Sequence, residues 1–138
     1  MSSIVRKDLR VLEQLIQGNE TRMDALGRAA AQAIVDDMKL LMQQSTPTGR
    51  TYTRGSIQHT ASAPGQPPAI DTAALINSLD WYREGRLRYI IHDGVEYGYI
   101  LETGGANTAP RPFVNPVIDQ WRRRKLVELA RDMYENLR

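Results

Sequence analysis

The residues able to do acid–base chemistry are few. His59 and His92 are the only histidines, and the chain has no cysteine. His92 stands beside Asp93 after an apolar run, a pairing that could provide a general base and its orienting carboxylate. Neighbours on a strand point to opposite faces, so the two side chains are not expected to meet. No serine occupies a recognisable nucleophile turn. Asp36 and Asp37 are adjacent in a helical stretch and do not face each other, so they read as a solvated face. A site for a hard cation needs several converging oxygens. Gly104-Gly105 with Asn107 lacks the spacing and the lysine of a phosphate-cradling loop. No catalytic residue, cofactor or metal site is expected, and the chain reads as a non-enzyme.

Two charged features stand out. Glu102 precedes Thr103-Gly104-Gly105 at a predicted helix end, where a carboxylate opposes the helix dipole unless a cation pairs with it. Arg111 is the expected partner, in a structural ion pair within or between subunits. The second feature is a gap. From Met38 to Ile70 there is no acid, while Lys39, Arg50, Arg54 and His59 are present. Arg50, Tyr52, Arg54 and His59 could lie near DNA or against an acidic neighbour, although Arg and Tyr also serve ordinary protein interfaces. The run Arg122-Arg123-Arg124-Lys125 wraps most of the way round a helix. Asp119, Glu128, Asp132 and Glu135 offset it, so it reads as a solvated face.

The 138 residues suit one domain spanning 1–138, with roughly two thirds of the unfolded surface buried. A net charge of +2 does not by itself indicate nucleic-acid binding. Charges interrupt the N-terminal apolar residues, so no signal-peptide run is expected, nor any membrane span of about 18 apolar residues. The lack of cysteine fits synthesis in a reducing cytoplasm.

The positioning elements come from periodicity. Val5, Leu9, Leu12 and Ile16 predict a helix over 6–17, stopped at Gly18-Asn19. A second helix is expected from Thr21 to about Gln44, with Met23, Leu26, Ala30, Ala33, Ile34, Met38 and Leu41 along one side. Residues 45–70, with Pro47, Pro64, Pro67 and Pro68, read as a long extended loop or arm. Pro67-Pro68 stiffens it. Asp71 is expected to cap a helix over 72–79. Trp81-Tyr82 and residues 87–92 predict two strands around a turn at 83–86, with a third strand near Arg111 to Val114. A short helix should end at Gly104-Gly105, and Asn115-Pro116 should open a C-terminal helix. Its apolar side would be Val117, Ile118, Trp121, Leu126, Leu129, Ala130, Met133 and Leu137. The fold class is α+β: a small antiparallel sheet on a long central helix and a long C-terminal helix.

The order of motifs carries a resemblance. A helix and Pro47-Thr48-Gly49-Arg50 precede Ala63-Pro64-Gly65-Gln66-Pro67-Pro68-Ala69-Ile70-Asp71-Thr72. After the predicted hairpin come Glu96 to Gly105 and then Arg111-Pro112-Phe113-Val114-Asn115-Pro116. Over roughly residues 20–137 this resembles the neck or tail-completion proteins of lambdoid-type long-tailed phages, the minor tail components that join head to tail. That family's Asp-Thr-Gly-x-Leu-x-x-Ser element appears as residues 71–78, with Ala73 replacing the glycine. Its Tyr-x-x-x-x-Glu-x-Gly segment is matched by Tyr97, Glu102 and Gly104.

The resemblance implies a structural virion protein at the head–tail junction, made in the host cytoplasm. Such proteins form a closed ring of copies of themselves, commonly a hexamer, in contact with other connector and tail proteins. Genomic DNA passes through the lumen without sequence readout. The candidates for subunit or DNA-channel contacts are Arg50, Tyr52, Arg54, His59, Pro67, Pro68, Glu102 and Arg111, with Arg50 and Arg54 nearest DNA. Leu75, Phe113 and Trp121 belong to the core. A tail terminator or head-side adaptor is the nearest alternative, and a small DNA-binding module a more distant one.

Overall fold

A computed structural model of the chain describes residues 3–71 and 73–136. Its first element, α1 (Ser3–Gln44), is one helix of 42 residues, about 63 Å long at 1.5 Å per residue. Gly18 does not stop it, correcting the two-helix expectation. An exposed glycine inside a helix costs only about 1 kcal/mol, and nothing lies near Gly18 to favour a turn. Thr21 opens no new helix; its hydroxyl donates to the Gln17 carbonyl, 3.0 Å away. The buried line on α1 is Ala31, Val35, Met38 and Met42 with Ala30 beside it. Met23, expected on that side, is 53% exposed.

Two separate two-stranded antiparallel sheets take the place of one small sheet. Within residues 45–70, β1 (Thr51–Arg54) pairs with β2 (Ile57–Thr60) in the register Tyr52↔His59 and Arg54↔Ile57. Gly55, at φ 62°, makes the tight turn. The stretch read as an irregular arm therefore carries a hairpin, built from the Thr, Tyr and Ile that favour strands. α2 (Ala74–Ser78) buries Leu75 and Ile76.

β3 (Asp80–Gly85) and β4 (Arg88–His92) form the second hairpin, in the register Trp81↔Ile91 and Tyr82↔Ile90. An irregularity between Arg83 and Gly85 absorbs a residue, so the turn falls at Arg86-Leu87 rather than over 83–86. This hairpin lies against α1. The Trp81 indole donates to Gln32 Oε1 (2.9 Å), and the Tyr89 hydroxyl donates to the Asp24 carboxylate.

α3 (Gly98–Thr103) ends at Gly104, where φ is 82°. Residues 111–114 form no strand, against the expected third one, because the amides of Phe113 and Val114 are taken by the Glu102 carboxylate. The C-terminal helix comprises α4 (Asn115–Gln120), a π-helical turn (Trp121–Lys125) and α5 (Leu126–Glu135). The wider π turn shifts the helical phase of α5, so Leu126 is 45% exposed although straight periodicity would bury it. Leu137 lies outside the described residues.

The core joins the elements through Phe113, Met38 and Val35, none more than 1% exposed, with Leu75, Leu79, Val117 and Trp121 around them. Leu75, Phe113 and Trp121 thus occupy the core as expected. Asp37 is not a purely solvated acid. Its Oδ2 accepts from the Trp121 indole (2.8 Å) and from Lys125 Nζ (2.7 Å), fixing the π turn to α1. Among the described residues no helix is long and apolar enough to cross a membrane.

Candidate functional site

The acid-free stretch folds back on the acid at its C-terminal end. Asp71 is not a helix cap: the residue before α2 is Ala73, in the left-handed region at φ 62° with no side-chain cap. The Asp71 carboxylate instead receives Arg54 Nη1 at 2.8 Å and the Tyr52 hydroxyl at 3.2 Å. His59 Nδ1 stands 3.9 Å from its other oxygen. The Tyr52 and His59 rings meet edge to face, 5.2 Å between centroids, as their cross-strand register requires. Burial first, and the hydrogen bond to Asp71 second, raise the Tyr52 phenol above the ordinary tyrosine pKa.

A second anchor fixes the base of the hairpin. Gln66 Oε1 accepts from the Thr48 amide (3.1 Å), the Thr48 hydroxyl (3.2 Å) and the Ala63 amide (2.8 Å). Its Nε2 donates to the Thr46 carbonyl at 3.3 Å. One side chain therefore ties the outgoing chain to the returning one. The backbone adds Gly49 N to Ala61 O (2.8 Å) and Gly65 N to Pro110 O (2.8 Å).

Between hairpin and core lies an open pocket of about 360 Å³. Met42, Leu75, Ile76 and Leu101 give it apolar walls, and Tyr52, Arg54, His59, Asp71 and Arg111 supply polar groups. Of the eight candidate residues, Tyr52, Arg54, His59, Pro68 and Arg111 line this pocket. Pro68 is buried, Pro67 half-buried, and Arg50 exposed at the foot of β1.

Glu102 and Arg111 do not form the expected ion pair. Glu102 accepts from three consecutive amides, those of Phe113 (2.8 Å), Val114 (2.9 Å) and Asn115 (2.9 Å). It thereby satisfies orphan donors at the start of the C-terminal helix, where negative charge is favoured. Arg111 donates to the carbonyls of Ser62 (3.2 Å) and Ala109 (3.1 Å), bridging the arm to the 109–112 segment. Both residues organise backbone within the chain.

Asp71 is already engaged by Arg54, and 3.9 Å is too long for a hydrogen bond to His59. His92 packs on Tyr82, 5.6 Å between centroids, while Asp93 accepts from the Val95 amide at 3.2 Å. Among the described residues no three His, Asp or Glu side chains converge for a metal ion. Comparisons with protein-family models, curated proteins and solved structures return no match.

Sequence reasoning missed Gln66 and Asp37 as anchors, and no local pattern announces either. Asp71 did carry a signal. It is the acid that closes a 33-residue basic gap, which makes it the nearest counter-charge for Arg54.

Proposed function

We propose that this chain is a structural virion protein of the phage head–tail junction, a neck or tail-completion subunit that forms a closed ring around the DNA channel. The observation that carries this reading, beside the order of motifs, is the hairpin over 51–60. It is held at its base by Gln66 and along β1 by Asp71, Ile57 beside its turn is 70% exposed, and Arg50 stands exposed at its foot. A pre-ordered projection with an apolar tip loses little entropy when it meets a second surface. Rings need one surface of each subunit to meet a different surface of the next. Arg50 is better suited to face DNA than Arg54, whose charge Asp71 offsets.

The test is the mass of the purified chain by light scattering across concentration, with and without residues 51–60 replaced by a short Gly-Ser turn. Gln66 is kept so that the anchor survives. A discrete closed oligomer that the replacement abolishes supports the reading. A monomer that binds duplex DNA with steep salt dependence overturns it in favour of a DNA-binding module. Particles lacking the protein, seen as separate heads and tails, distinguish a neck role from a tail terminator.

A further inference from the structure

α3 presents different residues to its two sides. Tyr97 and Leu101, one turn apart, line the pocket. Tyr99, nearly half a turn round from both, is 75% exposed. Among the described residues Tyr99 is the most exposed large side chain with apolar character. Glu96, in the turn before α3, is exposed and has no partner among the described residues.

We propose that Tyr99 of one subunit enters the pocket beneath the 51–60 hairpin of the next, so that α3 joins successive copies. This rests on the ring reading and names its contact. A phenol wants an apolar enclosure for its ring and a polar partner for its hydroxyl. The pocket supplies Met42, Leu75 and Leu101 for the first and the Arg54 guanidinium, of which only Nη1 is taken by Asp71, for the second. Its volume of about 360 Å³ falls within the range of small-ligand sites, roughly 300–1,000 Å³.

Charge points the same way. Arg54 and Arg111 line the pocket against one acid, Asp71, whereas the face offered by α3 is flanked by Glu96. Geometry excludes self-satisfaction, because knob and hole lie on opposite sides of one helix. Such a pair repeats head to tail, and the repeat either closes or runs on as a filament.

The absence of cysteine makes a trapping experiment clean. Two single-cysteine chains, Tyr99→Cys and Ile70→Cys at the pocket edge, are mixed, oxidised and analysed by mass spectrometry. A 99–70 bridge between chains is expected. In parallel, Tyr99→Ala should weaken association about tenfold or more, as loss of a buried aromatic anchor does. Glu96→Lys should weaken it most at low salt. Tyr99 and Glu96 are exposed, so folding should be unchanged by circular dichroism. A ring that survives Tyr99→Ala, or a 99–99 bridge in place of 99–70, overturns this inference and leaves the ring reading standing. A wild-type chain that stays monomeric, with no 99–70 bridge, overturns both.

Discussion

Removing one oxygen from Glu102 should unpin the C-terminal helix. Its Oε2 accepts from the Phe113 and Val114 amides and its Oε1 from Asn115. In Glu102→Gln the amide oxygen can keep at most the first pair, and the new NH2 then faces the Asn115 N–H, donor against donor. Flipping the amide keeps one bond and sets the NH2 against two donors. Hydrogen bonds to a charged group contribute about 1.5–3 kcal/mol, and a neutral acceptor restores about half of that. The three contacts together give a loss of roughly 2–3 kcal/mol for Gln and about 3–4 kcal/mol for Ala. For a domain of this size 1 kcal/mol moves Tm by about 3–5 °C, so Glu102→Gln should melt about 6–15 °C lower. Thermal unfolding by circular dichroism at one fixed protein concentration reads this directly. A Tm within about 1 °C of wild type would refute the claim that this carboxylate organises the helix start. Arg111→Ala separates the readings further. An ion pair would make both substitutions equivalent, whereas here Arg111 braces the Ser62 and Ala109 carbonyls.

Ala73 holds a left-handed backbone at φ 62°, which costs an L-residue about 1–2 kcal/mol. Ala73→Gly should stabilise the chain by roughly 0.5–1 kcal/mol after the extra unfolded-state entropy, a gain in urea midpoint at unchanged m. At Gly27 the opposite holds, since an added Cβ would overlap the Tyr89 ring. Gly27→Ala should lose stability despite a helix-propensity gain of about 1 kcal/mol, and Tyr89→Phe should not rescue it. Asp24 titrates below the usual aspartate value because Arg28, then Tyr89, hydrogen-bond to its carboxylate. A depressed folded pKa means stability present above the unfolded value and lost as pH falls through the folded one. The acid limb of stability below about pH 4 should therefore be shallower in Asp24→Asn, and an unchanged limb would remove Asp24 from the account.

The α+β class, the helical character of 21–44 and of the C-terminal segment, and the strands around 81–92 were legible because each arises from local periodicity, and Leu75, Phe113 and Trp121 occupy the core as expected. The misses share a cause. Gly18-Asn19 looks like a stop, but in a helix of 42 residues one glycine is outweighed by propagation on both sides. The hairpin at 51–60 was hidden because its flanking prolines and glycines dominate the composition, while its strands are only four residues each. Leu126 went to the wrong side because a single π turn is invisible to a fixed helical period. At the site, Glu102 and Asp71 were singled out for their positions but given the wrong partners. A carboxylate's choice among guanidinium, hydroxyl and amide is made by tertiary placement, on which spacing is silent.

Bracing residues and exposed residues fall into separate sets, even within one motif. Glu102, Arg111, Gln66 and Asp71 spend their hydrogen-bonding capacity inside the chain. A side chain so committed has little left for a neighbour. Unspent surface lies elsewhere, at Ile57 (70% exposed), Tyr99 (75%) and Arg50. Within and beside the motifs, the bonded side chains brace the subunit and the exposed ones are left for contact. This separation predicts two classes of substitution. Gln66→Ala should lower Tm, because four hydrogen bonds across the hairpin base go with it. Ile57→Ser should leave Tm within about 1 °C when measured on dilute monomer, since exposed positions contribute within about ±0.5 kcal/mol, yet should shift the mass distribution at high concentration. Paired melting and light-scattering measurements on both variants decide it. If Gln66→Ala changed assembly with Tm untouched, or Ile57→Ser unfolded the chain, bracing and contact would not be separable here, and the bracing residues would regain a direct part in the interface.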